Sequence, residues 1–218
     1  MNVALATTVF AAVHSLLATR GVKSAAQKAF PRGRERYRLF YNAQGIVTFT
    51  ALVSYIAAQP KRTLYHVTGI PAILMRIAQT SGIAFAVAAA RATGITKLAG
   101  IEALHPPVER EATIPAAQGP ERGIDGNLRV RGPFTVVRHP LNLAPLAPFW
   151  LTPHMTTRRL AFNVVATVYL IAGSRHEEIR LLEQYGDDYE RYRRSGVPFY
   201  FPRLRRRASA PPAPVNGT

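Results

Sequence analysis

Residues 41–90, YNAQGIVTFTALVSYIAAQPKRTLYHVTGIPAILMRIAQTSGIAFAVAAA, decide the fold. Tyr41–Ala58 carries no charge, and Ile70–Ala90 is interrupted only by Arg76 and Gln79. A helix crossing a bilayer core needs about 20 mostly apolar residues, with a range of about 17–25. Both blocks answer that description, and a polar break containing Pro60, Lys61 and Arg62 separates them. Working outward, Val3–Ala18 is a third block, apolar apart from small polar residues and His14. Leu141–Leu151 is shorter and contains Pro145 and Pro148; Leu160–Ala172 follows it. One such block suits a buried helix of a soluble protein, but five with so few charges inside them predict five membrane spans. The last two form a hairpin turning through Thr152–Arg159.

The charges test this reading independently. The chain of 218 residues has 28 Lys+Arg against 12 Asp+Glu, a formal net charge of +16. With 48% hydrophobic residues it is no disordered polybasic chain. The absence of cysteine excludes a disulfide scaffold, a thiolate metal site and a cysteine nucleophile. Residues 20–38 hold seven basic residues, residues 91–138 hold seven, and residues 174–218 hold nine. The two remaining connections hold only Lys61, Arg62, Arg158 and Arg159. Cytoplasmic loops carry the excess of Lys and Arg. The alternation therefore predicts an amino terminus outside and a carboxyl terminus in the cytoplasm. The first block has no positive segment before it and a positive cluster after it, which predicts a retained anchor, not a cleaved signal. The basic residues sit beside apolar spans with no recognisable nucleic-acid module, so lipid contact is expected and nucleic-acid binding is not.

The expected organisation is thus an all-α polytopic membrane protein of about five transmembrane helices with a cytoplasmic C-terminal helix. A three-helix membrane region fills residues 1–101, a site-bearing region with the hairpin fills 102–202, and 203–218 is a disordered basic tail. Residues 102–126, rich in Pro, Gly and acids, predict a cytoplasmic loop. Ser174–Arg194 predicts a helix interrupted at Gly186.

Two features carry candidate chemistry. Arg138-His139-Pro140-Leu141-Asn142 stands where the chain enters the fourth block, following Gly132-Pro133-Phe134. An interfacial anchor with a proline-started helix explains it equally well. Glu177-Glu178 follows the fifth block directly. Adjacent acids on a helix point about 100° apart, so one of them facing a site is the expectation. Carboxylates beside a membrane span are costly unless paired or facing a polar cavity. The acids and bases of Asp187–Arg194, in contrast, predict a solvated helix with pairs such as Glu190–Arg194. Arg76 predicts a snorkelling or pairing role, and His14 a hydrogen bond to its surroundings. Six scattered histidines without ligand spacing predict no metal site.

The run from Gly132 to Pro202 resembles the isoprenylcysteine carboxyl methyltransferase family of integral membrane methyltransferases. The residues that carry the likeness are Arg138-His139-Pro140, Glu177-Glu178, Gly186, Tyr189, Tyr192, Val197-Pro198 and Pro202, in the family's order and similar spacing. Phe149–Thr156, His14–Ala18 and Tyr37–Tyr41 resemble the bacterial branch that includes methanethiol S-methyltransferases. The resemblance implies a bacterial-type inner-membrane, multi-pass enzyme holding S-adenosylmethionine at the cytoplasmic face. It implies cofactor contacts from Phe134, His139, Pro140, Leu141, Asn142 and Glu177, with Gly126–Arg129 nearby. Arg138, His139 and Glu178 become the candidate catalytic residues.

The family's pattern has tyrosine where this chain has Phe134 and Asn142, and prenylcysteine enzymes have arginine where it has Gly173. The expected acceptor is therefore a small or lipophilic thiol-like molecule, not a prenylcysteine carboxylate. Two other readings stay open at this stage: a non-catalytic membrane protein on the same fold, and a related lipid reductase, for which no nicotinamide site is evident.

Overall fold

The computed structural model describes residues 2–30, 36–104, 119–122 and 128–201. Most of the expected loop 102–126, including Gly126, and the tail after Phe201 lie outside these residues. The chain is mostly helical. Helix α1, Val3–Ala18, begins where the Asn2 side chain accepts from the Leu5 amide. Thr19 caps α2, Arg20–Ala29, and the chain bends by 61° between the two. Helices α3, Tyr37–Ala58, and α4, Gly69–Thr93, are each long and apolar enough to cross a membrane. Counting α1 with the first turns of α2 as one bent span makes three. Their outer faces are apolar: Ile46, Val47, Ile73, Leu74 and Ile77 are each more than half exposed. Patches of that kind mark a surface built for an apolar surrounding.

The fourth apolar block departs from the expectation of one continuous span. It forms two short helices, α6 at Pro140–Leu143 and α7 at Leu146–Trp150, after the short α5 at Ile95–Ala99. Pro145 and Pro148 are the cause, because proline has no amide to donate to the preceding turn. The last carbonyls of α7 find partners outside their own helix. Gln79 of α4 donates to the Pro148 carbonyl at 3.2 Å, and buried Asn163 donates to the Phe149 carbonyl at 2.5 Å. Gly82 of α4 admits this elbow. A Cβ placed there would lie 2.7 Å from the Ala147 Cβ and 3.1 Å from the Ala144 carbonyl oxygen.

The fifth block is the first half of α8, Thr157–Tyr185, which packs along α1 and continues past the apolar stretch to Glu177 and Glu178. Strands β1, Thr63–His66, and β4, His154–Thr156, pair antiparallel and tie the end of α3 to the start of α8. At the other end of α8, Gly186 with φ of +52° lets the chain turn into α9, Asp187–Arg194. The helix expected over Ser174–Arg194 is thus present, with its break at Gly186. Leu181, Tyr185, Tyr189 and Tyr192 form a buried cluster there, covered by Leu128 of the short β2–β3 pair (Glu121–Arg122 with Leu128–Arg129), Val130 and Val197.

Replacing Gly82 with valine inserts atoms where the elbow leaves no room. Overpacking of this kind costs about 1–3 kcal/mol. Gly82→Val is expected to lower the thermal unfolding midpoint of the detergent-purified protein by several degrees; an unchanged midpoint would remove the elbow's close approach from the account.

Candidate active site

Arg138 and His139 end the loop that feeds α6, just after a 3-10 turn at Gly132–Thr135. Pro140 opens α6, a position that suits proline because no helical amide is needed there. Both acids of α8 turn toward these two residues. His139 Nδ1 lies 3.2 Å from Glu177 Oε2, and His139 Nε2 lies 3.4 Å from Glu178 Oε1. Arg138 Nε donates to Glu178 Oε1 at 2.7 Å. Helical spacing asks at most one acid to face a site; here both acids face His139. Consecutive positions reach one imidazole because its two nitrogens lie on opposite sides of the ring.

The imidazole is 1% exposed and the carboxylates 12% and 16%. Burial pulls the His139 pKa down, but the hydrogen bonds and charges of Glu177 and Glu178 outweigh it, and the net shift is upward. Burial pushes Glu178 up, yet His139 and Arg138 hold it below the ordinary carboxylate value. With His139 neutral, two carboxylates face one guanidinium, and one negative charge is left without a partner. His139 Nε2 and the Tyr189 hydroxyl are buried and make no well-formed hydrogen bond. Such a site, carboxylate-rich with idle polar atoms, fits the binding of a cationic, hydroxyl-bearing group.

The other expected contacts fall around this centre in different ways. Asn142 on α6 donates to Glu177 Oε2 at 3.3 Å and to Ser174 Oγ at 2.7 Å. Phe134 is buried, and its carbonyl accepts from the Tyr192 hydroxyl at 2.6 Å, so it anchors α9 beneath the site. Pro140 is buried and Leu141 half-buried, both placed by α6. Arg129 and Leu128 lie on β3, with Leu128 packed on the tyrosine cluster. The expected Glu190–Arg194 pair is present at 3.0 Å on α9. Arg76 is exposed on α4, and His14 Nε2 pairs with the Tyr41 hydroxyl at 2.6 Å.

Sequence reasoning named Val197-Pro198 only for its likeness to a family motif and gave no place to the strap Val197–Tyr200, which lies over the site. Arg138 donates to the Val197 carbonyl at 2.8 Å, and its amide donates to the Pro198 carbonyl at 2.9 Å. The Phe199 ring sits 4.8 Å from the His139 ring and 5.7 Å from the guanidinium carbon of Arg138. Tyr200 shares a 2.8 Å hydrogen bond with Ser174 and donates to the Leu170 carbonyl at 2.9 Å. Tyr200, Ser174, Asn142, Glu177 and His139 thus form one chain of hydrogen bonds. The aromatic run Phe199-Tyr200-Phe201 was the visible signal; Ser174 offered none. Two cavities among the described residues lie elsewhere, one between α1 and α3 and one near β4. The His139 centre is closed under its strap.

The chain resembles characterised bacterial proteins over part of its length. It is 37% identical over 87 residues to a methanethiol S-methyltransferase of Pseudomonas deceptionensis, covering 40% of this chain and 33% of that protein. It is 42% identical over 71 residues to methanethiol S-methyltransferase 2 of Bradyrhizobium diazoefficiens, covering 33% and 27%. It is 45% identical over 58 residues to the Mycobacterium tuberculosis methanethiol S-methyltransferase, covering 27% and 24%. The matched part thus spans about a third of the length of these relatives or less. No family model matches, and no solved structure matches. The likeness to bacterial methanethiol S-methyltransferases is thus confined to part of the chain.

The two pKa shifts set a pH window for stability. A raised histidine pKa contributes stability that is full below its ordinary value, about 6.5, and fades as pH rises through the folded value. A lowered glutamate pKa contributes stability that is full above its ordinary value, about 4.3, and fades as pH falls through the folded value. Wild-type thermal midpoints are expected to fall on both sides of that window, and His139→Asn to flatten the alkaline fall. An alkaline limb unchanged in the variant would contradict the pairing.

Proposed function

We propose that this chain is an integral membrane S-adenosylmethionine-dependent methyltransferase acting on a small or lipophilic thiol. The observation that carries the reading is the convergence of Glu177 and Glu178 on buried His139. The likeness to methanethiol S-methyltransferases supports the same reading and points to a thiol acceptor. In this reading α1, α3, α4 and the Leu160–Ala172 half of α8 cross the bilayer. The α6–α7 pair rises about 16 Å, and the extended residues before α8 complete a broken fourth crossing. The carboxyl-terminal end of α8 then lies in the cytoplasm.

When bound, S-adenosylmethionine supplies an electrophilic methyl group on a sulfonium. Glu177 offers its carboxylate to the cationic or hydroxyl groups of the cofactor. Asn142, backed by Ser174 and Tyr200, holds that carboxylate in place; these are positioning residues. His139 Nε2 takes the proton of the acceptor thiol as its sulfur becomes nucleophilic. Glu177 and Glu178 stabilise the imidazolium that results, and Arg138 keeps Glu178 ionised and pins the strap. Phe199 and Tyr200 exclude water, which favours reaction of a desolvated thiolate. Positioning supplies most of the rate in such a transfer, since little proton chemistry occurs at carbon. Phe134 and Asn142 leave the α6 side of the pocket without two phenols, and Tyr200 brings one back from the strap. Gly173 provides no cation for an acceptor carboxylate, in keeping with a neutral thiol.

Titration calorimetry of S-adenosylhomocysteine into the purified full chain tests the cofactor assignment. The wild type is expected to bind saturably, and Glu177→Gln to lose at least tenfold in affinity, about 1.4 kcal/mol. Absence of binding by the folded wild type would overturn the assignment and favour a non-catalytic protein on this fold. Asn142→Ala is expected to weaken binding less than Glu177→Gln, because His139 still constrains the carboxylate.

A further inference from the structure

The β1–β4 pairing does more than tie two helices together: it gathers the cations of two separate connections in one place. Lys61 and Arg62 precede β1, while Arg158 and Arg159 open α8. The Arg62 carbonyl accepts from the Thr157 amide at 3.0 Å, and the Arg62 amide donates to the Thr157 hydroxyl at 3.2 Å, so the two segments are clamped. Lys61, Arg158, Arg159 and His154 rim a cavity of about 310 Å³. Its floor is apolar and aromatic, with Phe49 and Val53 from α3, Phe149 from α7 and Phe162 from α8. The Phe149 and Phe162 rings meet edge to face at 5.3 Å.

No carboxylate among the described residues pairs with Lys61, Arg158 or Arg159. Arg158 donates only to neutral oxygens, the Ala57 carbonyl at 2.6 Å and the Gln59 carbonyl at 3.0 Å. Arg159 does likewise, to the Thr152 hydroxyl and the His154 carbonyl, each at 2.7 Å. A guanidinium has five donor hydrogens, so both retain donors for another acceptor. Arg158 lies 19 residues before Glu177 on one helix, about 28 Å along its axis at 1.5 Å per residue. That separation is close to the thickness of a hydrocarbon core, about 30 Å. This rim is therefore far from the His139 centre and stands at the opposite headgroup level when α8 crosses the bilayer.

We propose that this cleft is a binding site for an anionic phospholipid, its phosphate held by the Lys61, Arg158 and Arg159 rim and an acyl chain laid over the Phe49–Phe162 floor. The uncompensated cations select net negative charge. A zwitterionic lipid finds no carboxylate at the rim for its ammonium group. The apolar floor selects a chain-bearing ligand over a free anion. The volume lies at the lower end of the range for small-ligand pockets, about 300–1,000 Å³, suited to one chain segment and a headgroup.

Native mass spectrometry of the full chain in neutral detergent tests this directly, with phosphatidylglycerol and phosphatidylcholine of matched chains as competing probes. The wild type is expected to retain phosphatidylglycerol about tenfold over phosphatidylcholine, from cations that each attract anionic lipid. Lys61→Gln removes one cation that makes no hydrogen bond among the described residues, and is expected to lower that preference several-fold. Val53→Trp fills the floor and is expected to abolish retention. Arg91→Gln, at the other end of α4, is expected to leave it unchanged. Equal retention of the two lipids would overturn the proposal, as would retention unaffected by both cleft variants. Displacement by equimolar inorganic phosphate would also overturn it, by showing an anion site with no use for the chain.

Discussion

Glu177 and Glu178 are neighbours in the sequence, lie at the end of an apolar stretch and are both withdrawn from water. Two like charges so placed repel each other and lose hydration, a cost of several kcal/mol per ion when nothing compensates. The structure meets that cost with a single imidazole between them, a guanidinium on the outer acid and an amide on the inner one. Those three groups come from five consecutive residues, Arg138–Asn142, so the ion cluster also fixes where α6 begins. The same arginine holds two carbonyls of the strap. Loop, helix end and strap are therefore one electrostatic unit.

That unit requires the α6–α7 elbow to stay in place. A continuous helix from Pro140 would satisfy its own backbone, but the two internal prolines prevent it. Gln79 and Asn163 hold the carbonyls at the end of α7, and Gly82 lets the elbow approach α4 closely. Satisfying the backbone of a broken segment thus leaves the His139 end held at the carboxyl-terminal half of α8. Polar residues inside an otherwise apolar block have here a structural task that hydropathy alone hides.

Much of this was legible in the residues themselves. The long blocks of α3 and α4 announce their helices by length and composition, and Gly186 marks the α8–α9 turn by its tolerance of positive φ. Arg138-His139 and Glu177-Glu178 stood out as charges that an apolar setting must explain. The split of the fourth block into two short helices was hidden, because apolar composition says nothing about where a helix breaks. The facing of both acids toward one ring was hidden too, since helical spacing places them about 100° apart and only the ring's two nitrogens reconcile them. Ser174 and Tyr200 were invisible because their roles exist only when residues 26 apart are folded together. The gathering of Lys61, Arg158 and Arg159 likewise depends on strand register, which charge counting along the chain does not contain.

The central claim is that the His139 centre transfers a methyl group to a thiol. The most direct measurement supplies purified full-length protein in lipid nanodiscs with S-adenosylmethionine bearing a deuterated methyl group and with methanethiol, and follows the gas phase by mass spectrometry. The account predicts dimethyl sulfide carrying one deuterated methyl, formed by the wild type and reduced at least a hundredfold in His139→Ala, since a positioned general base contributes about 10²–10⁴ in rate. No labelled sulfide from a wild type that binds S-adenosylhomocysteine, or equal product from His139→Ala, would contradict it.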